Sequence, residues 1–314
     1  MFDFLKGFRT VFCSELNFTF QKKTLSTYII FTFFFVLTLY GISAQEYGSM
    51  QPRISLGELG FGLEAKEGPL IDIFVFLASF VVSGLEAFDT GGLPRVVMPV
   101  NIGLTLFILF PVFQGIKTSS ALAVRLCASS LARERESRTL YQLTASPQPR
   151  GFIYLGKFFG AFSAVFPIML LVYGGSFWLL NKTFLPYING GNANLLSLRV
   201  LMVCAVTSFL FATIAMLIST LTSNEENAVN HGTQILKAMG SLTVLWLLLP
   251  GLPNMEESTL KILECVTLLS PFTLDLLALY EEKLFAMYIL IQIGVAVLLL
   301  CFGMAVFAKQ DIDY

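Results

Sequence analysis

Residues 124–157 decide the topology of this chain, and their sequence is VRLCASSLARERESRTLYQLTASPQPRGFIYLGK. The stretch lies between two apolar runs and carries six basic and two acidic residues. The bases are Arg125, Arg133, Arg135, Arg138, Arg150 and Lys157, and the acids are Glu134 and Glu136. Loops rich in arginine and lysine stay on the cytoplasmic side of a membrane. We therefore expect residues 124–151 to form a cytoplasmic segment. This assignment decides on which side of the membrane the other loops of the chain lie.

The composition is that of a membrane protein. Hydrophobic residues make up 55% of the 314 residues and charged residues 13%, whereas a soluble domain carries about 25% charged residues. Several apolar runs approach the roughly 20 residues that a membrane-spanning helix needs, and they do not alternate as barrel strands do. The chain is therefore predicted to be an all-α integral membrane protein, with one transmembrane domain over residues 1–314 and no separate soluble domain.

Six transmembrane helices are predicted, with both termini cytoplasmic. They cover residues 26–44, 97–121, 152–180, 199–221, 234–250 and 284–307. This topology places twelve of the 20 basic residues on the cytoplasmic side, as the positive-inside rule requires. Thirteen of the 21 acidic residues lie in the outer segments. The second helix is expected to continue into the cytoplasm as far as Arg138, and residues 224–227 to form a short cytoplasmic turn.

The N-terminal residues 1–23 have apolar positions at helical spacing, including Phe4, Phe8 and Val11. This pattern predicts an amphipathic helix lying in the membrane interface. Glu15 falls on its apolar side, so we expect the helix to bend or end there. The alternative is a flexible basic leader.

Two acidic stretches are assigned to the outer side, residues 45–96 and 251–282. Within the first, the apolar run 73–85 has thirteen residues, which is short for a span. If it crossed the membrane, the basic segment 124–157 would face outward. We therefore interpret residues 73–85 as a membrane-lying helix, either interfacial or re-entrant.

The central segment is expected to contain a short helix over residues 131–143. Glu134 and Arg138 stand four residues apart in the favourable order for an ion pair, and Pro147 ends the helix. Such a helix, tied to two membrane spans, would transmit a push from a soluble protein.

The same segment resembles the one between the second and third spans of type-2 ABC transporter permeases. The resemblance rests on the charged cluster 133–138, Thr139-Leu140, Ser146-Pro147, Arg150 and Gly156-Lys157. Arg138 stands where that family usually has glycine, and Gln142 replaces a usual leucine. The interfacial helix, the six spans and a Ser-Pro-Phe element at 270–272 also match the family.

The resemblance implies a permease in a bacterial cytoplasmic (inner) membrane, paired with a second permease, identical or related, and surrounded by lipid. Two cytoplasmic ABC ATPase subunits would bind ATP and Mg, because this chain has no Gly-x-x-x-x-Gly-Lys-Ser/Thr loop. The chain itself would bind no cofactor. A helix around residues 134–143 would couple the ATPase to the spans. The coupling residues would be Glu134, Arg135, Glu136, Arg138, Thr139, Leu140 and Leu143.

No motif for covalent chemistry is present, so the chain is not expected to be an enzyme. The five cysteines and His231 have no metal-site spacing, and there is no basic footprint for nucleic acid. The predicted spans contain uncharged polar residues, which either line a translocation path or form hydrogen bonds between helices. They are Asn101, Thr105 and Gln114, named as the candidate path, and Thr207, Ser208, Thr213 and Gln292.

Two functional hypotheses remain. In the first, the chain exports a hydrophobic or amphipathic substrate, since its spans are apolar and rich in phenylalanine. In the second, it relays ATP-driven motion to an extracytoplasmic protein docked on residues 45–96, and no substrate passes through it.

Overall fold

A computed structural model describes residues 2–21, 29–30, 102–140, 145, 149–179, 193–248, 257–280 and 285–310. Nine helices lie within these residues: α1 (Phe2–Gln21), α2 (Ile102–Glu136), α3 (Arg150–Ser163), α4 (Phe166–Leu179), α5 (Ala193–Leu221), α6 (Glu225–Leu248), α7 (Glu257–Thr267), α8 (Pro271–Tyr280) and α9 (Phe285–Lys309). No strand occurs in the described residues, which confirms the helical class. The predicted first span 26–44, apart from residues 29–30, and the whole of 45–96 with its short helix 73–85 lie outside them.

Helix α5 is at the centre of the bundle, because α2, α4 and α9 all pack along it. Aromatic side chains fill the core around it. The rings of Phe211 and Phe272 stack with centroids 5.0 Å apart, and Phe158 meets Phe209 edge to face at 5.4 Å. Burial of such large side chains supplies much of the packing energy between helices.

Three described stretches are long and apolar enough to cross a membrane, namely Arg150–Gly175, Leu198–Leu221 and Phe285–Lys309. They coincide with the predicted third, fourth and sixth spans. Helix α2 includes most of the predicted second span, and α6 most of the fifth. The count of six spans and the sidedness of the termini stay predictions.

The predicted third span is interrupted between α3 and α4. Proline lacks an amide hydrogen, and its ring clashes with the carbonyl four residues earlier. For Pro167 that residue is Ser163, where α3 ends. A tighter turn follows, in which the N–H of Val165 donates to the carbonyl of Phe162 at 2.9 Å. The apolar stretch therefore bends instead of running as one helix.

Residues 224–227 are not the turn that we expected from the sequence. Asn224 is an N-cap, because its Oδ1 accepts hydrogen bonds from the N–H groups of Glu226 (2.7 Å) and Asn227 (3.3 Å). Asparagine is among the best N-cap residues, and acidic residues stabilise the first turn that follows. Helix α6 therefore begins at Glu225, nine residues before the predicted fifth span.

Helices α7 and α8 are joined by a short turn whose last residue, Ser270, is buried in the bundle; we call the two helices and this turn the α7–α8 hairpin. Ser270 donates a hydrogen bond to the carbonyl of Met239 at 2.8 Å and lies 2.9 Å from Thr243 Oγ1, both on α6. Pro271 occupies the first helical position of α8, where its missing N–H costs nothing.

This hairpin corrects the expectation that residues 251–282 all lie outside the spans. Asp275, on α8, contacts Thr207 near the middle of α5. The buried position of Asp275 was not predictable from the sequence, because the acidic residues on either side of the hairpin are typical of a solvated loop.

Five helices, α2, α3, α5, α6 and α9, are connected by hydrogen bonds at one of their two ends. The ends are the C-termini of α2, α5 and α9 and the N-termini of α3 and α6. Spans that alternate in direction bring these five ends to one side of a membrane. The arrangement therefore agrees with the predicted order of inward and outward spans in this part of the chain.

Candidate functional site

A buried group of charges lies where α1, α2 and α3 meet. Lys157 Nζ, on α3, donates to Glu15 Oε2 of α1 at 2.6 Å and also to Glu134 Oε1 of α2. The side chains of Lys157 and Glu15 are only 4% and 2% exposed. Burying a charge is costly unless it is paired and hydrogen-bonded, so these contacts explain how three ionised groups are accommodated between helices.

Arg133 completes this group, which we call the ion cluster (Glu15, Arg133, Glu134 and Lys157). Its guanidinium lies 3.4 Å from Glu15 Oε2 and 3.6 Å from the ring centre of Phe18. An arginine over an aromatic face is a favourable cation–π contact. Two acids and two bases give the ion cluster a formal charge of zero, and it ties α1 to both of the helices that flank the central segment.

Glu134 is the least fully paired member of the ion cluster. Its Oε2 atom is buried and forms no hydrogen bond to a described residue. Burial raises the pKa of the Glu134 carboxyl, an effect that the adjacent Lys157 charge opposes. Its carboxylate therefore depends on Lys157 to stay ionised.

Glycine makes the close approach of α1 to α3 possible. A Cβ atom on Gly160 would lie 2.9 Å from the carbonyl oxygen of Phe12 and 2.8 Å from the Cβ of Glu15. A Cβ on Gly156 would lie 2.9 Å from a methyl group of Val11. Real Cβ atoms do not approach other heavy atoms this closely, so the Gly-x-x-x-Gly pair at 156 and 160 sets the distance at which Lys157 reaches Glu15.

The end of α2 is a left-handed turn. Arg138 has φ of 59°, a conformation that costs about 1–2 kcal/mol for residues other than glycine. The N–H of Thr139 donates to the carbonyl of Glu134 at 2.9 Å and that of Arg138 to Arg135 at 3.1 Å. These two bonds are the Schellman pattern of helix termination. The turn explains why glycine would suit position 138.

This turn corrects the predicted helix 131–143 and the predicted ion pair within it. Helix α2 ends at Glu136, Ser137 and Arg138 form the turn, and a helical conformation resumes at Leu140. Glu134 pairs with Lys157 instead of Arg138, because the left-handed residue directs the chain away from the axis of α2.

A second set of contacts, the end network, joins the remaining helix ends. Arg135 donates to the carbonyls of Thr220 (2.7 Å) and Thr222 (3.1 Å) and to Gln310 Oε1 (2.7 Å). Carbonyls at the end of α5 have no partner within their own helix, and a cation there also complements the helix dipole.

Two further contacts complete the end network. Arg150 donates to the carbonyl of Gln310 at 2.7 Å. Glu136 Oε2 accepts from the N–H of Glu225 at 2.9 Å, so an acid from α2 lies at the positive end of α6. A displacement of the C-terminal end of α2 would therefore strain its hydrogen bonds to α3, α5, α6 and α9 at the same time.

The predicted coupling residues fall into two groups. Glu134, Arg135 and Glu136 belong to the ion cluster or the end network, and Leu140 is fully buried. Arg138 and Thr139 are exposed with Ser137 on the turn. We call residues 137–139 the exposed turn, which a partner can reach. Leu143 lies outside the described residues.

Of the candidate path residues, Asn101 lies outside the described part of the chain, and Thr105 and Gln114 are placed only as backbone within α2. Other intramembrane polar residues do bond between helices, since Ser208 Oγ lies 2.8 Å from Ser119 Oγ. Thr213, in contrast, donates to a carbonyl of its own helix. Within the described residues, no group of three His, Cys, Asp or Glu side chains is suited to hold a metal.

Glu15 is the site residue that sequence reasoning missed. Its position on the apolar side of the helix predicts a bend or an end near residue 15, but α1 continues to Gln21. An acid on a buried face requires a cation, and Lys157 in the distant third span supplies it. The acid on the apolar face was therefore a usable signal for a buried ion pair, but the lysine that completes the pair is 142 positions away in the sequence.

One comparison with known proteins is informative. A family model described as "ABC-2 family transporter protein" matches residues 17–312, which is nearly the entire chain and includes α2 to α9. A search of curated proteins found no match.

Proposed function

This chain belongs to the ABC-2 transporter family, and we propose that it is the permease through which a separate ATPase drives export of a hydrophobic or amphipathic substrate. The family and the apolar helices make it a multi-pass membrane protein. As a permease it performs no covalent chemistry. ATP and Mg would be bound by the partner ATPase, a second permease would complete the complex, and a bacterial inner membrane would contain it.

The observation that carries this proposal is the exposed turn held between the ion cluster and the end network. A soluble partner can reach Ser137, Arg138 and Thr139. The three residues just before them are hydrogen-bonded to α3 and to the ends of α5, α6 and α9. A force on this turn is therefore distributed through the bundle.

The proposal assigns two roles to the central segment. The exposed turn and the helical residues that begin at Leu140, with Leu143, would contact the ATPase. Glu134, Arg135 and Glu136 would transmit the displacement inward, because their side chains are already committed to other helices.

Affinity purification of the chain from its own membranes tests this proposal. The wild-type chain should carry a stoichiometric cytoplasmic ATPase, and Arg138→Glu should lose it or uncouple its turnover. This substitution reverses a charge without changing the backbone cost, because neither arginine nor glutamate favours the left-handed region. Lys237→Glu, an exposed site on α6, is the matched control.

An Arg138→Glu chain that keeps a fully active ATPase would refute the role of the exposed turn. Transport and relay are then distinguished in vesicles containing the wild-type complex. ATP-dependent movement of a labelled phospholipid or an amphipathic dye supports export. Hydrolysis without movement of either probe favours relay to an extracytoplasmic protein.

A further inference from the structure

An acidic side chain lies deep within the described bundle, away from the ion cluster. Asp275, on α8, has no exposed surface. It lies beside the middle of α5 and the first third of α9. An ionisable residue at membrane depth is expensive to maintain and usually serves a function.

Three side chains form a compact polar group around this acid. Thr207 Oγ1 lies 2.7 and 2.8 Å from the two carboxyl oxygens of Asp275 and 3.2 Å from Gln292 Oε1. Gln292 Nε2 donates to Asp275 Oδ1 at 2.8 Å and to the carbonyl of Pro271 at 3.3 Å. We call Thr207, Asp275 and Gln292 the buried triad.

The orientation of the Gln292 amide follows from its partners. The carbonyl of Pro271 only accepts hydrogen bonds, so the nitrogen of the amide must face it. The amide oxygen of Gln292 then faces Thr207, and the threonine hydroxyl is the only donor of the buried triad that can reach it.

Counting hydrogens shows how many protons the buried triad needs. The buried triad has three hydrogen-bond acceptors, namely the two carboxyl oxygens of Asp275 and the amide oxygen of Gln292. When Asp275 is ionised, only two donors face these three acceptors: the Thr207 hydroxyl and one N–H of Gln292. Adding a proton to Asp275 closes a ring. The carboxyl O–H then donates to Thr207, Thr207 to Gln292, and Gln292 back to Asp275.

No described basic side chain forms a salt bridge with Asp275. Of the helices packed on α8, α5 presents the thiol of Cys204, itself 3.1 Å from Ser119 Oγ, and α9 presents Gln292. Helices α2 and α6 also pack on α8, and each carries one lysine, Lys117 and Lys237 respectively. Lys117 lies against Gly240 of α6, and Lys237 is exposed.

We propose that the buried triad is a proton-binding site, and that its proton holds the α7–α8 hairpin docked in the bundle. Asp275 is neutral while the hairpin is docked. The proton leaves when the hairpin moves out and the carboxyl group reaches water. This inference is independent of the ATPase partner and of the exposed turn, because the residues before that turn contact the C-terminal ends of α5 and α9 and not the buried triad.

The proposal makes hairpin docking depend on pH. Because the docked state binds one more proton than the undocked state, docking weakens as pH rises. A single linked proton changes the docking equilibrium by at most about tenfold per pH unit.

A buried cysteine on α8 reports this equilibrium. Ala278 is fully buried on α8, and Ala278→Cys would react with a membrane-impermeant maleimide only when the hairpin is undocked. The native Cys265 on α7 is exposed and serves as the reference thiol. The full chain is measured in lipid nanodiscs between about pH 5.5 and 8.5, with Cys13 and Cys301 replaced by serine.

We expect the labelling ratio of the position-278 thiol to Cys265 to rise with pH, by up to about tenfold per unit. Asp275→Asn reproduces the protonated carboxyl, with an oxygen for Gln292 and an N–H for Thr207. This variant should give a low ratio at every pH. Thr207→Val opens the ring without removing the acid and should raise the ratio at low pH.

A ratio that does not change with pH in the Asp275 chain would overturn the proposal. So would the same pH dependence in Asp275→Asn, because the titrating group would then lie elsewhere. If Ala278→Cys lowers the yield of folded chain, hydrogen exchange of the α8 amides in the otherwise native chain gives the same comparison, with the amides of α3, which lies outside the hairpin, as reference.

Discussion

Replacing Lys157 by methionine should release α1 from the bundle. The substitution keeps the length of the side chain and removes the ammonium group that pairs Glu15 with Glu134. Both acids then stay buried, and only Arg133, 3.4 Å from Glu15, remains to balance them. Removing one partner from a buried ion pair costs about 3–5 kcal/mol, and the 2% exposure of Glu15 places this site in that class.

The loss should appear first in α1, because it is held mainly by its contact with α3. Hydrogen exchange of the α1 amides in lipid nanodiscs measures the free energy of its local opening. A loss of about 3–5 kcal/mol corresponds to a roughly 100- to 4,000-fold fall in protection. Lys237→Met, which removes an exposed lysine from α6, should leave α1 unchanged.

A double variant distinguishes charge from packing. Adding Glu15→Gln to Lys157→Met leaves Arg133 and Glu134 as one positive and one negative group, so the formal charge of the ion cluster returns to zero. The double variant should be more protected than Lys157→Met alone, and the difference is the coupling between the two sites. Equal exchange in Lys157→Met and Lys237→Met would refute the role of the ion cluster in holding α1.

Two further substitutions test the local geometry. Gly160→Ala should weaken the protection of the α1 amides, because its Cβ would lie 2.9 Å from the backbone oxygen of Phe12; Gly174→Ala, with no heavy atom within 4 Å, is the control, and equal exchange would exclude close packing at Gly160. Arg138→Gly should stabilise the chain by about 1 kcal/mol because it relieves a left-handed residue. A higher thermal midpoint than that of Arg138→Ala would be the expected result, and an equal midpoint would contradict it.

Patterns that are local in the sequence predicted local structure well. The apolar spacing of residues 1–23 predicted α1, which covers Phe2–Gln21, and the long apolar runs predicted α5 and α9. The order of residues around Arg138 identified the family that the match over residues 17–312 shows. Each of these signals is contained in a window of a few tens of residues.

Features that depend on partners distant in the sequence were not predictable. Glu15 and Asp275 are both acids in unexpected surroundings, and they were interpreted as a helix end and as part of a solvated loop. Their partners, Lys157 and the Thr207–Gln292 pair, lie on other helices. A hydropathy pattern assigns a charge to a side of the membrane, but it does not say which neighbour neutralises it.

The length of α2 gives the exposed turn a mechanical consequence. Its 35 residues form a rod about 52 Å long, whereas the hydrocarbon layer is about 30 Å thick. Helix α2 therefore extends well beyond the lipid, and both the ion cluster and the end network lie near its C-terminal end. Under the proposed coupling, a displacement of Glu136 would therefore reach the membrane-embedded part of α2 through one continuous helix, without first having to order a flexible linker.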